Sequence, residues 1–343
     1  MFSCCSSLTD IEIPNSVTSI EANAFFYCRN LTNIEIPNSV TRIGESAFSF
    51  CTSLTSLEIP NSVTSIGESA FSFCTSLSSL TVEAGNTKYD SREECNAIIE
   101  TASNSLIVGC GNSKIPNSVT SIGNRAFYDC ASLTSIEIPN SVTKIGECAF
   151  QKCTSLTSVE IGNGVTGIGY CAFAYCSSLT NIEIPNSVTS IGYGAFSYCT
   201  GLKSIVIPNG VTVIRMYTFA YCENLTSIEI PNSVTDIEFS VFDECRNLTE
   251  ITCLATTPPT IDYYTFSNYD ADLYVPAGCK SIYETTEYWK NFNIIEDTNA
   301  IEAVAAEHEA EYFNLQGLPV ANPEKGGLYI IKRGNKIGKS IIR

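Results

Sequence analysis

The feature that most constrains this chain is a phrase that returns every 23 residues. From Leu31 it reads LTNIEIPNSVTRIGESAFSFCTS, and from Leu54 it restarts as LTSLEIPNSVTSIGESAFSFCTS. Cys5, Cys28, Cys51 and Cys74 mark one in-phase series, and Cys130, Cys153, Cys176, Cys199, Cys222 and Cys245 mark a second. The 56 residues from Cys74 to Cys130 are two periods plus ten, so one coil carries an insertion, placed at about 82–114. Self-similarity at this period is the signature of a solenoid, in which each repeat contacts only its neighbours. The expected fold is therefore a repeat solenoid over residues 1–250.

Within one repeat, Ile34, Glu35 and Ile36 alternate apolar, polar and apolar, as a half-buried strand does. Pro37 and Asn38 then turn the chain, and Val40 and Ile43 return to the interior. After Gly44, the spacing of Ala47, Phe48 and Cys51 predicts a short helical turn that packs Phe inward. No 23-residue coil buries its own apolar face. Stacking coils about 4.8 Å apart gives each Phe, Ile and Leu a like neighbour above and below, and about ten coils make a rod of about 50 Å.

Composition agrees with a large buried core. The 343 residues are 44% apolar and 16% charged, which argues against disorder. No run reaches the roughly 18 apolar residues of a membrane helix, so no membrane span is expected, and the first residues lack the zones of an export signal. A net charge of −17 argues against nucleic acid, because a carboxylate surface repels phosphate. Partners are expected to be neutral, cationic or locally basic.

The phrase L-x-x-I-x-I-P-x-x-V-x-x-I-x-x-x-A-F-x-x-C resembles the leucine-rich repeat of the BspA-like surface proteins of Bacteroidetes and some parasitic protists. The insert CNAIIETASNSLIVGC and the later pieces ATTPPTIDYYTF, LYVPAGC and YWKNF resemble recurring segments of the same proteins. The resemblance implies an extracellular adhesive role, with the chain secreted or held at the cell surface. The sequence starts inside a coil, at the Phe of the A-F pair, which predicts further sequence upstream. After Cys245 the repeat decays, and Pro258, Pro259 and Pro276 predict a C-terminal cap over 251–296. The acidic, Ala-rich stretch 297–311 reads as a linker. Residues 312–343 read as a small basic β module with strands at Leu328–Ile331 and Ser340–Ile342. Its ending GLYIIKRGNKIGKSIIR resembles C-terminal sorting modules of Bacteroidetes secreted proteins; the other reading is a β module that packs on the acidic solenoid.

No motif for catalysis emerges. The sole His, His308, falls in the linker, so Ser–His and Cys–His nucleophilic pairs lack a base, and zinc chemistry lacks ligands. Zinc sites gather ligands within about four residues, whereas these cysteines come one per coil. Phosphate-binding glycine loops are missing as well. The expectation is no enzyme, no catalytic residues, no resident metal and no cofactor. Stacked cysteines would have Cα atoms within disulfide range, but parallel side chains hold the bridge torsion far from a right angle, so the ladder reads as buried thiols. Cys148 and Cys171 form a second, shorter column with the same reading. Cys95 and Cys110 bracket a hairpin centred on Ala102 and Ser103 and are a candidate disulfide, with two unpaired thiols as the alternative.

Binding residues are sought on the surface columns. The residue between the two strand Ile positions is Glu12, Glu35, Glu58, Glu137, Glu160, Glu183 and Glu229, with Val206 breaking the row. Neighbouring carboxylates about 4.8 Å apart repel by roughly 1 kcal/mol even in water. One reading is a solvated edge that keeps strands from aggregating. The other is a docking strip for a basic protein partner, such as host extracellular matrix or another cell surface, or for weakly bound Ca²⁺. Polar columns such as Ser56, Ser135 and Asn181 run beside it. Tyr175, Tyr198 and Tyr221 stand where earlier coils have Phe50 and Phe73, so partial burial is expected; exposure would favour a ligand. Three functions follow: an adhesin presenting its repeats to a protein, a spacer without a tight ligand, or a glycan-binding protein. The last has little aromatic support, since Trp289 is the only Trp and lies in the cap.

Overall fold

The computed structural model describes residues 2–297 and the strand segments 311–313, 328–333 and 336–341. The chain winds into a β-solenoid of about 12 turns with repeats of about 23 residues and little helix. The expected alternation is present: the strand Ser56–Ile59 reads exposed, buried, exposed, buried, as does Ser135–Ile138. Strands of successive coils pair in parallel at a constant offset, so that Ile136 faces Val159 and Glu137 faces Glu160.

The second apolar segment is also a strand. Two-residue strands at Ser19–Ile20, Arg42–Ile43 and Ser65–Ile66 form one parallel ladder. Another runs from Ser121–Ile122 to Ser190–Ile191. The chain passes close to the previous coil here: a Cβ on Gly192 would lie 2.6 Å from the Gly169 backbone. In the next coil Arg215 takes that place, and among the described residues the ladder stops at Ser190–Ile191 and restarts with Val213–Ile214 and Asp236–Ile237.

The segment from Gly44 to Cys51 is not the helical turn expected. It holds two residues in the left-handed region, Ser46 (φ 51°) and Phe50 (φ 63°), and the same two positions recur in later coils, as at Cys148 and Lys152. Its backbone bonds run between coils: the N–H of Phe48 donates to the carbonyl of Ala70 at 2.8 Å, and that of Phe150 to Ala172 at 2.7 Å. A helix would spend these donors within its own turn and leave the neighbouring coil's carbonyls unpaired. Inside the turn, the Phe rings stack in one column, with Phe150, Phe173 and Phe196 at 5.1 and 5.5 Å and nearly parallel.

From Cys28 to Cys245 the cysteine ladder is buried, and most of its thiols share one kind of partner. Sγ of Cys199 donates to the carbonyl of Phe173 at 3.1 Å, and Cys51, Cys74, Cys153, Cys176, Cys222 and Cys245 repeat this bond with the Phe 26 residues earlier. A small apolar side chain with a weak donor fits this place.

The insertion divides the interior into two hydrophobic clusters. Tyr89–Asp90, Ile98–Glu100 and Ser105–Val108 pair antiparallel, and the last then pairs in parallel with Ser121–Ile122. The hairpin turns through 101–104, as its sequence predicts. Successive side chains of a strand point to opposite faces, so Ile98 joins the N-terminal cluster and Ile99 the C-terminal one.

Beyond residue 250 the stacking continues. Phe266 stacks on Phe242 at 4.8 Å, and Asp272–Pro276 and Asn293–Asp297 extend the parallel sheet. The helix Lys280–Thr285 packs on Asn293–Asp297, and Trp289 is buried, its Nε1 donating to the Pro259 carbonyl at 2.8 Å. Glu311–Phe313, Leu328–Arg333 and Lys336–Ile341 form a separate antiparallel sheet, which includes the β runs expected of the basic segment up to Ile341. Of the stretch 297–311 that reads as a linker, residues 298–310 lie outside the described residues.

Candidate ligand-binding surface

All seven glutamates of the row are exposed, because strand alternation points the apolar residues on either side of each one inward. Glu12 bridges to Glu35, Glu137 to Glu160, and Glu229 lies between Val206 and Thr252. The row is interrupted at three positions: Thr81, which pairs beside Glu58, Lys114 in the insertion coil, and Val206, which is 60% exposed.

Two grooves open on this face. One, of about 620 Å³, is lined by Glu35, Glu58 and Glu83 together with Asn38, Ser56 and Ser79. The other, of about 740 Å³, lies against the insertion and is lined by Glu93, Glu137 and Glu160 with Lys114, Asn112 and Ser135. Their walls are carboxylates, hydroxyls and amides, groups that recognise cationic and hydrogen-bonding ligands. The backbone beneath is held by threonines: Thr157 Oγ1 donates to the Thr134 carbonyl at 3.0 Å, and Thr143 to Thr120 at 3.2 Å.

Ca²⁺ binding by the row gains no support. Among the described residues no three His, Cys, Asp or Glu side chains converge to hold an ion, since each coil supplies one carboxylate to the row. His308 lies outside the described residues.

Cys95 and Cys110, the candidate pair, are free and buried. Cys95 belongs to the C-terminal core and Cys110 to the N-terminal one, so the hairpin sends the two thiols to opposite sides. Cys95 Sγ donates to the Ala97 carbonyl at 3.5 Å, and Cys110 Sγ to that of Asn96 at 3.4 Å. Burial pushes both thiols above the ordinary range.

Tyr175, Tyr198 and Tyr221 sit in the left-handed turn position before the buried Cys, away from the strands. Their rings stack at 4.4 and 4.3 Å, within 7° of parallel. Tyr175 is exposed and the other two are half-buried. Because the ring faces are turned toward one another, the interior edges of this stack offer little flat surface to a sugar. Sequence reasoning missed other exposed aromatics, Tyr170, Tyr193, Tyr217, Tyr263 and Tyr264. Comparing the same position from coil to coil is the signal that reveals them.

Residues 1–107, 107–226 and 212–305 match the model of the BspA type leucine rich repeat region. Among solved structures, a leucine rich cell surface protein from Faecalibacterium prausnitzii is 34% identical, with 74% of this chain and 61% of that one covered and a TM-score of 0.57. The chain thus spans 61% of that protein's length. A leucine-rich repeat protein from Eubacterium ventriosum is 25% identical over 86% of this chain and 77% of that one, with a TM-score of 0.58. One from Bacteroides ovatus is 25% identical over 87% and 80%, with a TM-score of 0.56. No curated protein sequence matches the chain. The repeat phrase, the stacked coils and the family match over nearly the whole solenoid agree: this chain belongs to the BspA-type leucine-rich-repeat proteins.

Proposed function

We propose that this chain is a secreted or cell-surface binding protein that presents its strand face to a protein partner carrying basic groups. The observation that carries this reading is the pair of open grooves on that face, both walled by carboxylates of the glutamate row. Surface location is supported by the F. prausnitzii relative, which is described as a cell surface protein. The row costs the isolated chain electrostatic repulsion, roughly 1 kcal/mol per neighbouring pair in water; a cationic partner relieves it. In this reading the basic C-terminal segment serves sorting or anchoring.

The test is a binding screen of the chain against extracellular-matrix proteins and glycans, repeated with Glu137→Gln, Glu160→Gln and Glu183→Gln combined. A strand-face partner must bind the triple variant more weakly and associate more slowly. Its affinity must also fall as salt shortens the Debye length from about 10 Å at 0.1 M to about 3 Å at 1 M. A partner indifferent to both salt and the triple substitution removes the row from the account. Silence across the panel favours a spacer.

A further inference from the structure

Two adjacent positions in each coil, directly after the close-packed Gly step, have no packing duty that calls for an aromatic. In coils before residue 150 they hold none, as at Glu45 and Ser46 or Glu68 and Ser69. From Tyr170 onward every coil carries at least one: Tyr170, Tyr193, Tyr217, Phe239, then Tyr263 and Tyr264. The five tyrosines are 41 to 62% exposed. Coils with Glu and Ser at these positions fold into the same geometry, so the rings are not needed to build the solenoid. Single exposed aromatics are ordinary, but a contiguous strip of them marks an interaction surface.

From Tyr217 onward the rings touch. Tyr217 meets Phe239 edge-on at 6.1 Å, Phe239 meets Tyr264 at 5.2 Å, and Tyr264 meets Tyr263 at 5.1 Å. Carboxylates border it. Asp236 is flanked by Glu238 and Asp262; burial first, and then these two charges, raise its pKa, against the pull of Arg215. One cationic seat is already filled from within: the Arg215 guanidinium lies 5.7 Å over the Tyr193 ring and bonds Glu238 at 2.8 Å. Asp262 lies beside Tyr264, whose backbone N–H donates to it at 2.8 Å, and among the described residues no Lys or Arg lies over the Tyr217, Phe239 or Tyr264 rings.

We propose that this turn-side strip is a second docking surface, separate from the strand face, for an extended Arg-bearing segment of a protein partner. The planar guanidinium lies on the Tyr217, Phe239 and Tyr264 rings and pairs with Asp262 and Asp236, as Arg215 does with Tyr193 and Glu238. Guanidinium both stacks on aromatic faces and pairs with carboxylates, whereas a neutral sugar would leave the bordering charges unanswered.

The experiment titrates the full chain with a labelled peptide of alternating Arg and Gly, with its citrulline counterpart, and with a neutral oligosaccharide. The Arg peptide is expected to bind and the citrulline peptide to bind far more weakly. Tyr217→Ser combined with Tyr264→Ser should weaken the Arg peptide about tenfold, the loss of two cation–aromatic contacts. Ser already stands at the equivalent Ser46 and Ser240, and an unchanged melting temperature confirms that the variant is folded. The strand-face triple Glu→Gln variant should bind the peptide like the parent. Binding that survives the double Tyr substitution, binding lost only in the strand-face variant, or capture of the oligosaccharide and not the Arg peptide each overturns the proposal. The strand-face variant keeps the two surfaces distinguishable, so either can fail alone.

Discussion

The cysteine ladder permits a quantitative test by timed alkylation. Cys199 is fully buried, and burial pushes its thiol up to about 12 from the ordinary 9.0, with its S–H held on the Phe173 carbonyl at 3.1 Å. At pH 8 the thiolate fraction is about 10⁻⁴ for such a group and about 10⁻¹ for an ordinary thiol. Reaction with iodoacetamide is therefore about a thousandfold slower before steric exclusion is counted. Of the 17 cysteines, Cys4 and Cys5 are exposed, Cys171 and Cys279 are half-buried, and thirteen are buried. Intact mass after brief alkylation without reductant should show two fast adducts, then up to two slow ones. Unfolding in guanidinium, still without reductant, should release all 17 sites. Fewer adducts on the unfolded chain would mean bridged thiols. Fifteen, with Cys95 and Cys110 unmodified, would establish the hairpin disulfide and contradict their placement in separate cores. Rapid adducts on Cys199 or Cys176 in the native chain would refute the buried ladder.

Alkaline pH should destabilise the solenoid steeply. Burial raises Cys51, Cys130, Cys199 and Cys245 to about 12 and Cys253 to about 11, so their contribution is complete below pH 9. It is lost between pH 9 and 12, as the unfolded thiols ionise and the folded ones do not, at about 1.4 kcal/mol per pH unit per thiol. An equal melting temperature at pH 8 and 10 would contradict this. Phe173→Ala removes a fully buried ring stacked on both sides and should cost about 3 to 5 kcal/mol. Because coils couple only to their neighbours, calorimetry should also show a broadened or split transition. Gly109→Ala places a Cβ 2.1 Å from the buried Phe127 ring and should cost about 1 to 3 kcal/mol, read by urea unfolding.

Which residues point inward was legible in the sequence, because a strand buries alternate side chains and a period of 23 stacks like on like. The exposed Glu row, the buried Phe and Cys columns and the hairpin of the insertion all follow from that pattern. The turn around Phe48 did not. Apolar spacing fits a helical turn equally well, and the choice fell to coil-to-coil bonds such as Phe48 N–H to Ala70, whose partner lies in the next coil. The bond made by most ladder thiols was hidden for the same reason, since its acceptor is a carbonyl 26 residues earlier. Cys95 and Cys110 flank a hairpin along the chain, yet the insertion stands between two cores and each thiol follows its own. The exposed tyrosines were printed in the sequence throughout. What the stacked structure decided was that Tyr217, Phe239 and Tyr264, each a coil apart, touch as one surface. Local periodicity sets the facing of a side chain, whereas its neighbour across coils depends on backbone path and register, which only the assembled solenoid defines.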